Sequence, residues 1–383
     1  MPWPTLRSAL DFLGQSHHDG ITITFSGGEP LLEYPLIQRS FTHLQGEEFA
    51  GKNFAYRVAT NGTKLTEERM DFLVRNRFEI RISFDGVPNS QELRGKNSFA
   101  ILDSRLDALR TLNETYYRRN LTMAVTILPE TVKYLADSFA YFLDKGVQNL
   151  TITPCLTHHG AWCDELLEDL EIQFVRIFDM SRAHLQATGE IPLTLFRRES
   201  NRKSLPQGQW AMCRALQGEA VAVDMEGHIY GCGSFSPAVH KFESALMQKR
   251  ADALLLGNLW DGDLAERLSG DHLTGLAVDI FQHKERKYSS YRRCCDCEFF
   301  SDCCVCPLSI GYIAGNEDPR RVPDFICAFN TVALKKRDEF PVVDRQWQML
   351  HNPDVLFAKI RPWLAWAESL GGNTSYRQAD TDF

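Results

Sequence analysis

No stretch of the sequence reaches the roughly 18 apolar residues that a membrane-spanning helix needs. The opening Met1-Pro2-Trp3-Pro4 has neither a positively charged segment nor a cleavable apolar stretch, so nothing reads as a secretory signal. An excess of positive charge is also missing. Lys plus Arg number 42 against 50 Asp plus Glu, a net charge of −8. That argues against a general nucleic-acid binder, which holds phosphates with clustered cations. Nor is the chain poor in apolar residues: 44% are hydrophobic and 24% charged, which excludes disorder for most of it. Internal repeats and low-complexity tracts are absent. What remains is a globular protein of 383 residues, long enough for two or three domains. Its expected compartment is the cytoplasm, and no membrane or nucleic-acid partner is expected.

Cysteine is what the chain has in quantity, and its distribution is uneven. Of eleven cysteines, Cys155, Cys163, Cys213 and Cys232 are scattered. Cys294, Cys295, Cys297, Cys303, Cys304 and Cys306 fall within thirteen positions, and Cys327 follows. In a reducing compartment such residues are better metal ligands than disulfide partners. Two CxxC pairs alone suit a structural zinc. Seven ordered cysteines exceed one tetrahedral site and approach the complement of two four-iron clusters. Cys155 and Cys163 read as small hydrophobes or weakly reactive thiols. Cys295 and Cys304 read as spectators beside ligands.

The first half alternates helix and strand. Apolar spacing predicts helices over 4–16, 36–47, 65–74, 97–117, 131–145 and 164–187. Short β-branched runs predict strands over 21–26, 53–60, 79–84, 120–128 and 148–153. Five strands separated by helices imply a parallel sheet with right-handed crossovers. An α/β barrel with its chemistry at the carboxyl ends of the strands fits this order. The opening helix has no strand before it, so one barrel strand is missing. Residues 190–208 read as a polar linker. Beyond them the alternation stops: 221–230 reads as a hairpin, the cysteine cluster as loops, and 353–369 as a terminal helix kinked at Pro362.

Ser26-Gly27-Gly28-Glu29-Pro30 directly follows the first strand. Its glycines allow close approach of a ligand to the backbone, and a glutamate there can accept hydrogen bonds from a cationic amino group. A plain strand-to-helix turn is the simpler alternative for the pentapeptide alone. His17-His18 and His158-His159 read as exposed loop residues. Asp224 reads as a turn aspartate. Arg197 to Lys203 reads as solvated linker, and Trp347, Trp363 and Trp366 as packing residues.

Together these segments resemble radical S-adenosylmethionine enzymes that carry a SPASM domain, over about residues 4–335. Thr24 to Leu32 resembles the family's GGEP segment, which holds the methionyl amino group of the cofactor. Ala59-Thr60-Asn61-Gly62-Thr63 is similar to its next strand end. Ile82-Ser83-Phe84-Asp85-Gly86 is similar to the one after, where the serine contacts the cofactor. Arg94-Gly95 resembles the arginine that pairs with the cofactor carboxylate, a task suited to a guanidinium. The resemblance implies Gly27, Gly28, Glu29, Pro30, Asn61, Ser83, Asp85 and Arg94 as cofactor-binding residues.

The cysteine order resembles the SPASM pattern: Cys213, thirteen residues, Gly227, four residues, Cys232, then Cys294-x2-Cys297-x5-Cys303-x2-Cys306 and Cys327. One step departs, since two residues separate Cys303 from Cys306 where the family has three. The resemblance implies one auxiliary [4Fe-4S] cluster on Cys213, Cys232 and Cys306, with an open or non-cysteine fourth ligand. It implies a second on Cys294, Cys297, Cys303 and Cys327. The family's CxxxCxxC loop, which holds the radical-generating cluster, would precede Gly27, where this sequence has no cysteine. The chain therefore reads as N-terminally truncated, with a third cluster only if a longer N-terminus exists.

The implied fold is α/β: a partial (β/α)6 TIM-like barrel missing its first strand over 1–190, a SPASM auxiliary iron–sulfur domain over 191–335, and a helical extension and tail over 336–383. The implied activity is modification of a ribosomally made peptide or protein through a 5′-deoxyadenosyl radical. A flavodoxin or ferredoxin would be the electron donor. Two alternatives stand beside it: a non-catalytic iron–sulfur peptide-binding protein and a zinc-stabilised scaffold. Sulfatase maturation is disfavoured, because such members carry an aspartate after the second SPASM cysteine and Gly233 stands here.

Overall fold

The computed structural model describes residues 1–16, 18–156, 162–197, 220–236, 255–264, 284–303 and 320–342, with residues 245, 248, 252, 316 and 318. Five strands form one parallel sheet in sequential order: β1 Gly20–Phe25, β2 Asn53–Thr60, β3 Glu79–Ser83, β4 Leu121–Ile127 and β5 Leu150–Pro154. Each lies within a residue or two of the segment that β-branched runs predicted. The helices are α1 Trp3–Gly14, α2 Tyr34–His43, α3 Glu67–Arg75, α4 Pro88–Gln91, α5 Ser98–Leu112, α6 Glu114–Asn120, α7 Leu135–Asp144 and α8 Asp164–Thr188. Among the described residues the outer edge of β1 carries no strand. On the far side, Leu193 makes a single parallel bridge to Leu150 of β5.

Alternation along the strands sorts the two faces of the sheet. Ile23, Tyr56, Val58, Ile80, Ile82, Met123, Val125 and Leu150 are buried in the main core. The opposite face is polar and more open. Register places Thr24, Arg57 and Glu79 in one row across it, Ala59, Arg81 and Thr122 in the next, and Ser83, Ala124 and Thr151 in the third. A strand buried on both faces would be apolar throughout. The main core therefore lies against one face, while the other holds polar side chains that are half-buried around a buried Ala124.

Several expectations are corrected. The single helix expected over 97–117 is two, because Asn113 ends α5 and its side chain accepts the Tyr116 amide proton at 2.8 Å to cap α6. The segment 131–134 is part of a tighter turn, Pro129–Tyr134, ahead of α7. Residues 191–197 are not linker. Ile191, Leu193 and Phe196 are buried in the core, and Arg197 donates through Nε to the Ile191 carbonyl at 2.6 Å. Residues 198–208 of that expected linker, the helix at 353–369, Trp347, Trp363 and Trp366, and His17, His158 and His159 lie outside the described residues.

Two elements of the second half were not expected. Strand β8, Leu255–Asn258, joins the expected hairpin β6 Ala222–Val223 and β7 His228–Tyr230 in an antiparallel sheet. Helix α9, Asp324–Glu339, runs through the end of the cysteine-rich region. Phe329 of α9 meets Phe174 of α8 edge to face, with ring centroids 5.5 Å apart, so α9 is fastened to the main core. Asp224 behaves as a turn residue: its carboxylate accepts the Glu226 and His228 amide protons at 2.9 and 3.0 Å.

Candidate functional site

The carboxyl edge of the parallel sheet gathers the residues singled out from the sequence. Ser26, Gly27 and Gly28 leave β1 exposed to solvent. Gly27 sits at φ +138°, a backbone conformation closed to side chains, and an added Cβ at either glycine would meet no atom within 4 Å. Gly28 has no such φ, so neither backbone strain nor packing within the described residues demands a glycine there. An open, side-chain-free stretch of backbone is what a closely approaching ligand requires.

Glu29 caps the turn Pro30–Glu33 and ties β1 to β2. Its Oε1 accepts from the Leu31 amide at 3.1 Å and from Thr60 Oγ1 at 2.6 Å; its Oε2 accepts from the Asn61 amide at 2.8 Å. Three donors hold one carboxylate, which leaves acceptor capacity for one further cationic donor. Asn61 is exposed, and its Oδ1 accepts from the Thr63 amide and hydroxyl at 2.9 and 2.7 Å. Pro30 begins the turn that Glu29 caps.

At the end of β3 the Ser83 hydroxyl is half-buried and has no hydrogen-bond partner among the described residues. Asp85 is 6% exposed, and both its oxygens are occupied. Arg94 donates to them through Nε and Nη2, each at 2.8 Å, and the Thr126 amide donates to Oδ1 at 2.8 Å. Asp85 thus positions Arg94 and has little capacity left for a ligand. One edge of the Arg94 guanidinium is used; the Nη1 side remains for a second carboxylate. Just past β5, burial pushes the Cys155 thiol up, and the residue lies close enough to Arg94 and Asp85 to feel both charges. Such a thiol is a poor nucleophile. Cys163 is exposed, not buried.

The second cluster of chemistry lies in the cysteine-rich region. Cys294, Cys297, Cys303 and Cys327 line one cavity with Arg292, Phe299, Val322 and Leu334. Cys294 and Cys297 come from the turn Cys294–Asp296 and the residue after it, and Cys327 from the first turns of α9. Ser289 Oγ donates to the Cys327 sulfur at 3.1 Å. Arg292 Nη1 lies 3.8 Å from the Cys297 sulfur and Asn330 Nδ2 3.6 Å from that of Cys303. Donors aimed at sulfur favour thiolate and tune a metal bound to it, although burial outweighs the Ser289 bond and pushes the Cys327 thiol up. Cys295 is exposed and turned to Asp296. Eight described cysteines are all free thiols.

Four thiols around one cavity, with polar donors behind them, are a donor set that a [4Fe-4S] cluster or a zinc ion takes. Among the described residues no group of three or more His, Cys, Asp or Glu side chains is arranged to hold a metal ion. Cys232 lies past β7 and outside this cavity, while Cys213 and Cys306, expected as its partners, lie outside the described residues.

Trp162, in the loop between β5 and α8, links the two regions. Its Nε1 donates to Tyr291 Oη at 2.7 Å, and its ring packs on Phe325 with centroids 4.9 Å apart. Sequence reading assigned no role to either aromatic residue, since nothing local marks a contact between segments so distant in the chain. No helix among the described residues is long and apolar enough to cross a membrane.

The chain is similar to known proteins over part of its length. Residues 3–142 match the Radical SAM superfamily model. A cysteine-type anaerobic sulfatase-maturating enzyme of Clostridium novyi is 25% identical over 141 residues, covering 35% of this chain and 36% of that protein. The radical SAM cyclopropyl synthase TigE of Paramaledivibacter caminithermalis is 23% identical over 144 residues, 36% of this chain and 26% of that protein. An uncharacterized protein of Methanocaldococcus jannaschii is 27% identical over 178 residues, 43% of this chain and 62% of that protein. The matched regions thus span less than two thirds of each relative. The structure of native anSMEcpe with bound AdoMet superposes with a TM-score of 0.61 at 16% identity, covering 89% of this chain and 88% of that one. That likeness, a likeness of fold, extends beyond residue 142. The carboxyl edge that gathers Gly27, Glu29, Ser83 and Arg94 therefore belongs to a Radical SAM superfamily domain, which this chain carries over residues 3–142.

Proposed function

We propose that this chain is a radical S-adenosylmethionine enzyme of the SPASM type that modifies a ribosomally made peptide or protein. The observation that carries the reading is the cavity lined by Cys294, Cys297, Cys303 and Cys327 in a chain that also carries a Radical SAM domain. The cysteine-rich region, about residues 191–335, would be the auxiliary cluster domain. Its second cluster would rest on those four thiols, and its first on Cys213, Cys232 and Cys306.

At the sheet edge, the bare backbone of Gly27 and Gly28 would admit the methionyl end of the cofactor. Glu29 would accept from its ammonium group with the lone pair that Leu31, Thr60 and Asn61 leave free. Arg94, held by Asp85, would present its remaining edge to the carboxylate. Ser83 would supply a hydroxyl from the neighbouring strand, and Pro30 would stiffen the turn that orients Glu29. Bound beside a reduced four-iron cluster, the cofactor would supply hydrogen-abstracting radical chemistry. A flavodoxin or ferredoxin would supply the electron. Gly233, in place of an aspartate, favours a peptide other than a sulfatase as substrate.

The test is iron and acid-labile sulfide per chain on protein made anaerobically from its native locus. About eight irons are expected from two auxiliary clusters, and about twelve if the radical-generating cluster is also present. Zinc in place of iron would overturn the reading. Eight irons without cofactor binding would convert it to that of a cluster-bearing peptide-binding protein.

A further inference from the structure

The polar face of the sheet carries a charge arrangement that cofactor binding at the carboxyl edge does not use. Arg57 of β2 and Glu79 of β3 stand opposite one another in register. Arg57 donates to Glu79 Oε2 through Nε at 2.7 Å and also through Nη2. Arg81 stands two residues further along β3, on the same face. Its hydrogen-bond partner among the described residues is Thr151 Oγ1, at 3.3 Å from Nη2. Thr151 meanwhile donates to the Met123 carbonyl at 3.1 Å, so its oxygen is left to accept. To reach β5 from β3 the Arg81 side chain crosses β4 beside Ala124, a small and buried residue that a longer side chain can pass over.

The guanidinium therefore reaches the row of Ser83, just inside the carboxyl edge. It has five N–H donors and, among the described residues, one neutral acceptor. Glu79, the carboxylate nearest in sequence, is engaged by Arg57. Both burial and the neighbouring Arg57 work against the charge on Arg81. A half-buried cation with a like charge beside it, and with most of its donors unused among the described residues, is a receptor for an anion. The planar fork selects carboxylate in particular.

We propose that Arg81 is a substrate-recognition residue that takes a carboxylate of the peptide, an acidic side chain near the modified position, on the polar face of the sheet below Ser83. The assignment rests on the peptide-modifying reading for the identity of the ligand, but the carboxylate site itself does not. S-adenosylmethionine also carries a carboxylate, so the two sources must be separated. Arg94 is placed for the cofactor's carboxylate at the loop beyond the strand; Arg81 lies deeper, within the strand.

The experiment uses two small probes on the full chain: N-acetylglutamate amide, which mimics an acidic residue within a peptide, and its neutral glutamine counterpart. Phenylglyoxal labelling, mapped by mass spectrometry, reports the accessibility of Arg81 separately from Arg57 and Arg94. The acidic probe is expected to slow labelling of Arg81 by about tenfold at saturation and the neutral probe to leave it unchanged, the order of discrimination one charge-assisted pair provides. In ligand-observed NMR titrations the preference for the acidic probe should vanish in Arg81→Gln and survive in part in Arg81→Lys. Equal protection by both probes, protection by neither, or a preference that persists in Arg81→Gln would overturn the proposal. If S-adenosylmethionine alone protects Arg81 and the acidic probe adds nothing, the carboxylate is the cofactor's and the substrate assignment falls. Should Arg81→Gln fail to fold, the labelling of the unsubstituted protein decides. Acid-selective protection in a chain that holds no iron would sink the enzymatic reading and leave the anion site standing.

Discussion

Arg94 grips Asp85 with two donors, Nε and Nη2, each 2.8 Å from a different carboxylate oxygen. The Asp85 side chain is 7% exposed, and that of Arg94 28%. The pair therefore joins the loop after β3 to the end of β4, where the Thr126 amide also bonds Asp85. Arg94→Gln is expected to destabilise the fold by about 2 kcal/mol, less than the ~3–5 of a fully buried pair, because Arg94 keeps solvent contact. Asp85→Asn in the same chain should recover part of that loss, since it removes the stranded charge. Urea midpoints of the two single variants and the double variant check both statements.

Glycines at the carboxyl edge should divide by role. Gly62 sits at φ +76°, and an added Cβ would fall 2.5 Å from Leu102 Cδ2 and 3.0 Å from Ile82 Cγ2. Gly62→Ala should lower stability by about 2–4 kcal/mol through strain and overpacking. Gly28→Ala should leave it within about 1 kcal/mol, because nothing lies near its Cβ. Under the reading proposed here, Gly28→Ala should nevertheless weaken S-adenosylmethionine binding. Thermal unfolding and calorimetric titration of both variants separate the two roles.

Metal content should follow the cavity. Cys303→Ser or Cys327→Ser is expected to lower iron by about four per chain, and Cys295→Ser to leave it unchanged. Equal iron in all three variants would show that the four thiols lining the cavity do not hold a cluster.

Asp318 should make the cysteine-rich region acid-sensitive. The Arg320 guanidinium, which donates to it at 2.9 and 3.0 Å, holds its carboxyl down to about 2 from an ordinary 3.8, with help from the Tyr288 hydroxyl. A depressed value means that the native state favours the ionised form. The stabilisation is therefore complete above about pH 4 and disappears as pH falls through about 2. The stability difference between the parent and Asp318→Asn should be constant above that window and shrink to nothing below it, as followed by denaturant unfolding across pH.

The parallel sheet was legible because its signals are local. Alternating β-branched runs marked β1 to β5, and the strand–helix order implied parallel pairing. The cysteine spacing marked the dense run from Cys294 to Cys306, and the family resemblance, not the spacing, singled out Cys294, Cys297, Cys303 and Cys327 as a group. Helix α9 was not legible although Phe325, Phe329, Val332 and Ala333 fall at helical spacing, because Ile326, Ala328 and Leu334 are buried beside them and blur a single stripe. Strand β8 escaped for a different reason, since Leu255–Asn258 becomes a strand only by pairing with β7. The break at Asn113 depended on a single side-chain cap.

By itself the sequence determined the alternation of helix and strand, the glycine-bearing strand exit at Gly27 and Gly28, and the density of cysteine between 294 and 306, because backbone freedom, side-chain period and residue spacing are properties of neighbouring residues. Only the tertiary structure decided which groups are occupied and which remain available. Asp85 is consumed by Arg94, and Glu29 by three donors from two strands. Glu79 goes to Arg57 rather than to Arg81, because strand register sets those two opposite each other and leaves Arg81 reaching across Ala124 toward a hydroxyl.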